Sequence, residues 1–342
     1  MESRQSQNSA NGHLLTVDGL TQDFATIDGR VRVLENVSLQ IEKGEIVGVV
    51  GESGSGKTTL GLAIIGLLDS PPSDIIRGSI VFEGKDMLKL NPIELSHIRG
   101  PGIGMVFQES LAALNPVYRT EAQLRESIEV LRRAQNLSLK EGDERKMMID
   151  ILKDLRLDKP EIVLKKYPHE LSGGMRQRIS IAMAIAEKPR LLILDEVTTG
   201  LDVYIQNRIL TILKDLNQRT GTTMILITHD LTVASQICDK LFVMYAGRLM
   251  EEGKTQEVVN APMHPYTQKL MAAIPQGFID APPLPAPTGE APDIRSLPTG
   301  CKFHPRCPFM MERCKENEPP FLEASYGRHV SCWLVEKNEQ YR

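Results

Sequence analysis

The chain lacks a membrane span. None of its apolar runs nears the roughly 18 residues that a spanning helix needs; the longest, at 191–194 and 179–186, are short and broken. It also lacks the apolar centre of a signal peptide, since its start reads Met1-Glu2-Ser3-Arg4-Gln5-Ser6-Gln7. A basic excess is missing too. The formal net charge is −4, which gives no field to attract a phosphate backbone and excludes a dedicated nucleic-acid binder. Cysteine is nearly absent from the main body, where Cys238 stands alone on an expected helix over 232–239 and reads as a small core residue. No internal repeat is visible. Together these absences predict a cytosolic protein whose role at a membrane, if it has one, runs through a partner.

What is present is ordinary globular material, 41% apolar and 25% charged in 342 residues, enough for a large domain with an appendage. Short β-type runs at 14–17, 31–34 and 37–41, separated by Asp-Gly turns, predict an antiparallel sheet at the N-terminal edge. Further strands are expected at 46–50, 79–82, 104–107, 191–194, 224–228 and 241–245. Helical spacing covers 58–68, 120–157 in at least two helices, 172–186, 203–216 and 232–238. Strands alternating with helices predict a parallel α/β core. Six of the 21 prolines fall between Pro282 and Pro298, a composition that predicts an extended linker before a tail holding the other four cysteines.

Three motifs carry chemistry. Gly51-Glu52-Ser53-Gly54-Ser55-Gly56-Lys57-Thr58 fits the phosphate-loop pattern G-x-x-x-x-G-K-S/T, between an expected strand and an expected helix. Its glycines let backbone N–H groups turn toward phosphate oxygens, and the helix that follows points its positive end at them. Lys57 supplies a point charge and the Thr58 hydroxyl a ligand for Mg²⁺. Asp195 and Glu196 close an apolar strand, where a carboxylate is costly unless it serves a cation. Asp195 therefore reads as a contact to Mg²⁺ and Glu196 as the base that orients the attacking water. Between them lies Leu171-Ser172-Gly173-Gly174-Met175-Arg176-Gln177-Arg178, whose Ser-Gly-Gly opens a helix and makes a second anion site. A helix cap explains the Ser-Gly-Gly alone, but not the Met-Arg-Gln-Arg that follows it.

In this order the motifs resemble those of the ATP-binding cassette (ABC) ATPases. The resemblance implies a RecA-like phosphate-loop core with an antiparallel β subdomain and a helical signature subdomain. It places ATP against Gly51, Ser53, Gly54, Ser55, Gly56, Lys57, Thr58 and Thr59. The Ser172, Gly173, Gly174 and Gln177 end of a second subunit completes that site. The resemblance further implies that Gln108 reaches the metal and the water, that His229 contacts the γ-phosphate, and that Asp202 lies in the loop crossing the dimer interface. Phe24 takes the position of the aromatic that stacks on adenine. Val197 and Gly200 depart from the family's usual proline and alanine, and are expected to loosen the loop leading to Asp202. Lys57 and Ser172 are 115 positions apart, room for only a modest helical subdomain. That favours a transporter ATPase over relatives with long coiled-coil insertions.

The tail narrows the reading. In a reducing compartment a cysteine cluster predicts a metal site sooner than disulfides. The spacings of Cys301, Cys307, Cys314 and Cys332 match neither common ferredoxin pattern, and four thiolates suit zinc or iron–sulfur equally in kind. His304 and His329 could replace a cysteine in a zinc site, but read as spectators sooner than as ligands. With His264-Pro265-Tyr266-Thr267, the tail is similar to the C-terminal extension of oligopeptide/dipeptide ABC import ATPases. That likeness implies a 4Fe–4S cluster on the four cysteines, zinc being the alternative.

The expected organisation is a nucleotide-binding domain over 1–262 with its helical subdomain at about 109–186, a helix and Pro-rich linker over 263–298, and the four-cysteine extension over 299–342. The expected protein is a peripheral ATPase at the cytoplasmic face of the plasma membrane. Its partners would be a second homologous or identical ATPase subunit, two transmembrane permease subunits and, indirectly, an extracytoplasmic substrate-binding protein. The rival is a soluble ABC ATPase whose ATP-driven dimerisation regulates a non-membrane partner. The cargo, whether dipeptide, oligopeptide, metal or oligosaccharide, is not legible.

Overall fold

In the computed structural model, residues 12–108, 113–138, 140, 142–272 and 292–337 are described. Strands β1 (Leu15–Thr26) and β2 (Gly29–Ile41) form a long hairpin; β3 (Ile46–Val50) leads into helix α1 (Lys57–Ile65). Next come β4 (Ser73–Phe82), β5 (Lys85–Asp86), α2 (Pro92–Ile98) and β6 (Ile103–Val106). A helical segment holds α3 (Thr120–Ala134), α4 (Asp143–Asp154), α5 (Pro160–Lys165) and α6 (Gly173–Ala186). The chain returns through β7 (Leu191–Asp195), α7 (Val203–Thr220), β8 (Thr223–Thr228), α8 (Leu231–Ile237), β9 (Lys240–Tyr245) and β10 (Arg248–Lys254). It ends with α9 (Thr255–Asn260), α10 (Pro265–Ala272), α11 (Glu312–Glu316), β11 (Leu322–Ser325), β12 (Arg328–Val330) and α12 (Trp333–Lys337).

Two sheets result. The antiparallel one has the order β2-β1-β4-β5, as the N-terminal runs predict. The large one runs β11-β12-β10-β9-β3-β8-β7-β6, with β9, β3, β8, β7 and β6 parallel to one another. Strands β3, β7 and β8 are buried along their whole length, because each face of a parallel sheet is covered. Alternation then assigns each side chain to a core. Val47, Val49, Ile193, Ile225 and Ile227 face the antiparallel sheet and α1. Ile46, Val50, Leu192, Leu194 and Leu226 face the helical segment and α7.

The elements differ from expectation where backbone geometry or distant pairing intervenes. The runs at 31–34 and 37–41 are one strand, β2, which continues through Asn36 at φ 52°. Helix α1 stops at Ile65 instead of 68, because Gly66 takes a left-handed φ of 70° and caps it. Strand β10 was not anticipated, and neither were β11 and β12; β12 pairs onto β10 and β11 onto β12, which brings the tail into the main sheet. The polar start and most of the proline segment, at 1–11 and 273–291, lie outside the described residues.

Candidate active site

The phosphate-loop sequence sits where the topology requires it, at the carboxyl end of β3 with its helix following. Gly56 takes φ 97°, and a Cβ there would come within 3.0 Å of both Leu34 Cδ2 and Val33 O of β2. Only glycine meets both demands. Lys57 is 4% exposed. Its ammonium donates to Gly51 O and Glu52 O, each at 2.8 Å, and to Ser55 Oγ at 3.4 Å. Burial lowers the lysine's proton affinity, against the pull of Glu196, Asp195 and Glu52. Thr59 is half-buried on the first turn of α1.

Asp195 is 1% exposed at the end of β7 and accepts from Thr58 Oγ1 at 3.1 Å. Burial raises its pKa; the Thr58 bond and the Lys57 charge oppose that rise, while Glu196 adds to it. A hydroxyl and a carboxylate oxygen so placed are hard donors of the kind Mg²⁺ takes. Glu196 has φ 47°, the left-handed region that a residue with a Cβ adopts only under strain. The fold holds it there: its N–H donates to Ile227 O at 2.9 Å. Around its carboxylate gather Gln108 Nε2 at 3.1 Å, Thr199 Oγ1 at 3.1 Å and His229 Nδ1 at 3.3 Å. Gln108, Asp195, Glu196 and His229 are thus brought together from three strand ends. Thr199 joins them without having been predicted; it lay in the loop read only for Asp202.

Ser172 and Asp202 are both N-caps. Ser172 Oγ accepts from Met175 N at 3.3 Å and Asp202 Oδ1 from Ile205 N at 2.9 Å. The Ser-Gly-Gly helix end packs on the start of α7, with Leu201 beside Gly173 and Ile205 against Gly174. Among the described residues, the hydrogen bonds of Ser172 share no partner with those of Lys57. Gln177 is buried and its Nε2 has no partner among the described residues. Val197 is buried and Gly200 takes φ 75°, so the departure at 200 places a glycine where alanine would be strained. Phe24 is half-buried on β1, across from Val31.

The tail reaches this site. Asp293, Ile294 and Leu297 enclose a cavity of about 260 Å³ against Ser53–Ser55 of the loop. Arg306 forms a bidentate ion pair with Glu52, at 2.7 and 3.0 Å, which raises the guanidinium's proton affinity. Neither residue was predicted to matter. A larger cavity, about 580 Å³, lies at the amino ends of the parallel strands against Arg190 and Thr223. Ligands of open α/β sheets bind at carboxyl ends, so the smaller space is the one that belongs to the chemistry.

Cys301 and Cys314 are buried, and Cys301 N donates to Cys314 O at 2.8 Å. That bond makes the backbones of Cys301 and Cys314 neighbours. Burial, with charge on Cys301, Cys307 or Cys314 acting in the same direction, pushes the Cys332 thiol up to about 12. Even so, no group of three or more His, Cys, Asp or Glu among the described residues is placed to hold a metal ion. His304 and His329 join no such set: His304 Nδ1 lies 3.0 Å from Cys301 O, and His329 stacks on Phe321.

Residues 34–199 match the family described as ABC transporter, and residues 250–314 that described as Oligopeptide/dipeptide transporter, C-terminal region. The chain is 41% identical over 326 residues to the Oligopeptide transport ATP-binding protein AppD of Bacillus subtilis, covering 95% of this chain and 97% of AppD. It is 43% identical over 321 residues to OppD of Salmonella typhimurium, covering 94% and 93%. A solved structure, the ATP-binding cassette MJ0796 as a dimer with ADP and Pi, aligns with a TM-score of 0.62 at 29% identity, over 70% of this chain and 98% of that one. With the loop, the acidic strand end and the Ser-Gly-Gly helix in these places, the chain belongs to the ABC transporter family, as one of the ATP-hydrolysing subunits of its oligopeptide/dipeptide branch.

Proposed function

We propose that this protein is the ATPase of a peptide importer and works as a dimer, with itself or a homologous subunit, at the cytoplasmic face of the plasma membrane. Each ATP would lie between the Gly51–Thr58 loop of one subunit and the Ser172-Gly173-Gly174 helix end of the other. Phe24 would meet the adenine, and Gln177 and Asp202 would line the facing subunit's side. The observation that carries the reading is Glu196. A strained backbone aims its carboxylate into a cluster of Gln108, Thr199 and His229, beside the Thr58–Asp195 pair.

The chemistry follows from those positions. Phosphate oxygens compete with the loop oxygens for the Lys57 ammonium and accept from the loop amides. Thr58, Asp195 and Gln108 would hold Mg²⁺, which would supply charge neutralisation. Glu196 accepts the proton of the attacking water while Gln108 orients that water and His229 donates toward the γ-phosphate. ADP and phosphate leave when the dimer opens. In such phosphoryl transfer, positioning and charge neutralisation supply most of the catalysis. Glu196→Gln in the assembled complex is expected to lower steady-state turnover by roughly a hundredfold or more, as loss of a general base does, while ATP binding persists. Undiminished turnover would remove Glu196 from the mechanism.

The membrane reading rests on relatives named as peptide transport ATP-binding proteins. No described helix is long and apolar enough to cross a membrane. Each of two permease subunits would dock on one ATPase subunit, in the groove of about 240 Å³ lined by Leu67, Met105, Phe107, Met183 and Glu187. Leu67 and Phe107 are exposed there, and Glu187 has no ion pair among the described residues. The groove therefore fits an apolar segment carrying a basic residue. An extracytoplasmic binding protein would deliver peptide to those permeases. Cys301, Cys307, Cys314 and Cys332 would hold a 4Fe–4S cluster, with zinc the alternative. This reading rests on the likeness of the tail to the matched C-terminal region, which spans Cys301, Cys307 and Cys314; burial raises the Cys301 and Cys332 thiols, so a bound metal would have to displace their protons.

A further inference from the structure

The second residue of the phosphate loop is held from three directions. The carbonyl of Glu52 accepts from Lys57 Nζ at 2.8 Å and from Ser55 N at 3.2 Å. Its N–H donates to the Tyr266 hydroxyl on α10 at 2.8 Å. Its carboxylate takes both Nη atoms of Arg306, which lies 254 positions away between Cys301 and Cys307. Arg306 is itself enclosed, its side chain 8% exposed and its Nη1 3.4 Å from the Tyr245 hydroxyl. Tyr245, Tyr266 and Phe303 pack around it with ring centroids 4.6 to 5.4 Å apart.

This arrangement is more than an anchor for the tail. A carboxylate inside a loop that receives a triphosphate repels the ligand unless it is neutralised, and the repulsion acts at short range with little solvent between. A planar guanidinium bound through both nitrogens neutralises Glu52 and also fixes its direction. We propose that Arg306, from the cysteine-bearing extension, is a positioning residue of the ATP site: it masks the Glu52 charge and holds the loop in the form that accepts triphosphate. The tail thus contributes to nucleotide affinity through one ion pair, whatever its cysteines hold. This rests on the reading that the Gly51–Thr58 loop binds ATP.

The test is titration of the full chain with a fluorescent ATP analogue in the presence of Mg²⁺. Arg306→Ala is expected to raise Kd about tenfold, as an uncompensated neighbouring charge does. The same change with Glu52→Gln is expected to restore Kd to within about twofold of the parent, because the repulsion is gone. Arg306→Lys, which keeps charge but loses the fork, should fall between. In the assembled complex KM should rise while kcat changes little. An unchanged Kd for Arg306→Ala, or a double variant no better than the single one, overturns the proposal. Should Arg306→Ala fail to fold, Arg306→Lys with and without Glu52→Gln reads the same coupling. Lys57→Ala separates the two readings: retained binding there would sink the site itself.

Discussion

At the scale of single residues, burial decides which charges are expensive. Glu187, at the carboxyl end of α6, lines the groove beside Leu67 and Phe107, and burial alone pushes its carboxyl group up to about 7 from an ordinary 4.5. The fold favours the protonated form. Stability on its account is fully present below 4.5 and is lost as pH rises through about 7. Glu187→Gln, neutral throughout, is expected to be more stable than the parent at pH 8 by about 1–2 kcal/mol, a half-buried site with some solvent screening. The gain should vanish near pH 4.5, measured by urea denaturation across that window. Sequence reading missed Glu187 because an isolated Glu on a helix end carries no local sign of burial. Lys57, Asp195 and Glu196 stood out in the sequence because each belongs to a short run of adjacent residues with a recognisable pattern, although Asp195 and Glu196 meet partners far away in the chain.

At the scale of elements, the legible parts are those whose geometry a few adjacent residues decide. Helix α6 begins where Ser172 caps it, and its Gly174 admits α7: a Cβ there would lie 2.7 Å from Ile205 Cγ2. Ser172→Ala should cost about 1 kcal/mol of stability through the lost cap, read by denaturant midpoint. Gly174→Val should cost about 1–3 kcal/mol by overpacking. It should also weaken the ATP-trapped dimer in a Glu196→Gln background, which size-exclusion chromatography measures. An intact dimer in that variant would separate the helix end from the nucleotide interface. Strands β11 and β12 escaped notice for the opposite reason: they have four and three residues, too few for a periodic pattern, and β12 pairs with the remote β10.

At the scale of the whole molecule, the tail is part of the body. Glu251 on β10 is fully buried. It accepts from Arg328 Nη2 at 2.6 Å and from Met263 N and His264 N, each at 2.9 Å. Arg328→Ala would leave that charge unpaired and is expected to destabilise the protein by about 3–5 kcal/mol, the usual cost of breaking a buried pair, seen as a large fall in the thermal midpoint. The cysteines Cys301 and Cys314 lie in the same core as β3 and β7, so a group bound there would tie the tail to the ATPase. Full-length protein purified without oxygen is expected to be brown, with iron and sulfide in equal amounts. A colourless protein with stoichiometric zinc would replace iron–sulfur by the alternative.

The sequence by itself determined that the chain carries a phosphate-loop pattern, an acidic strand end and a Ser-Gly-Gly helix start. The loop pattern is carried by eight adjacent residues, and the acidic pair and Ser-Gly-Gly stand at the ends of elements that announce themselves by periodicity. Only the tertiary structure decided that Glu52 meets Arg306, that Arg328 meets Glu251, and that the tail extends the main sheet. Charged residues in a chain read as solvated until the fold removes water from them, and a contact across 254 positions leaves no trace in either neighbourhood.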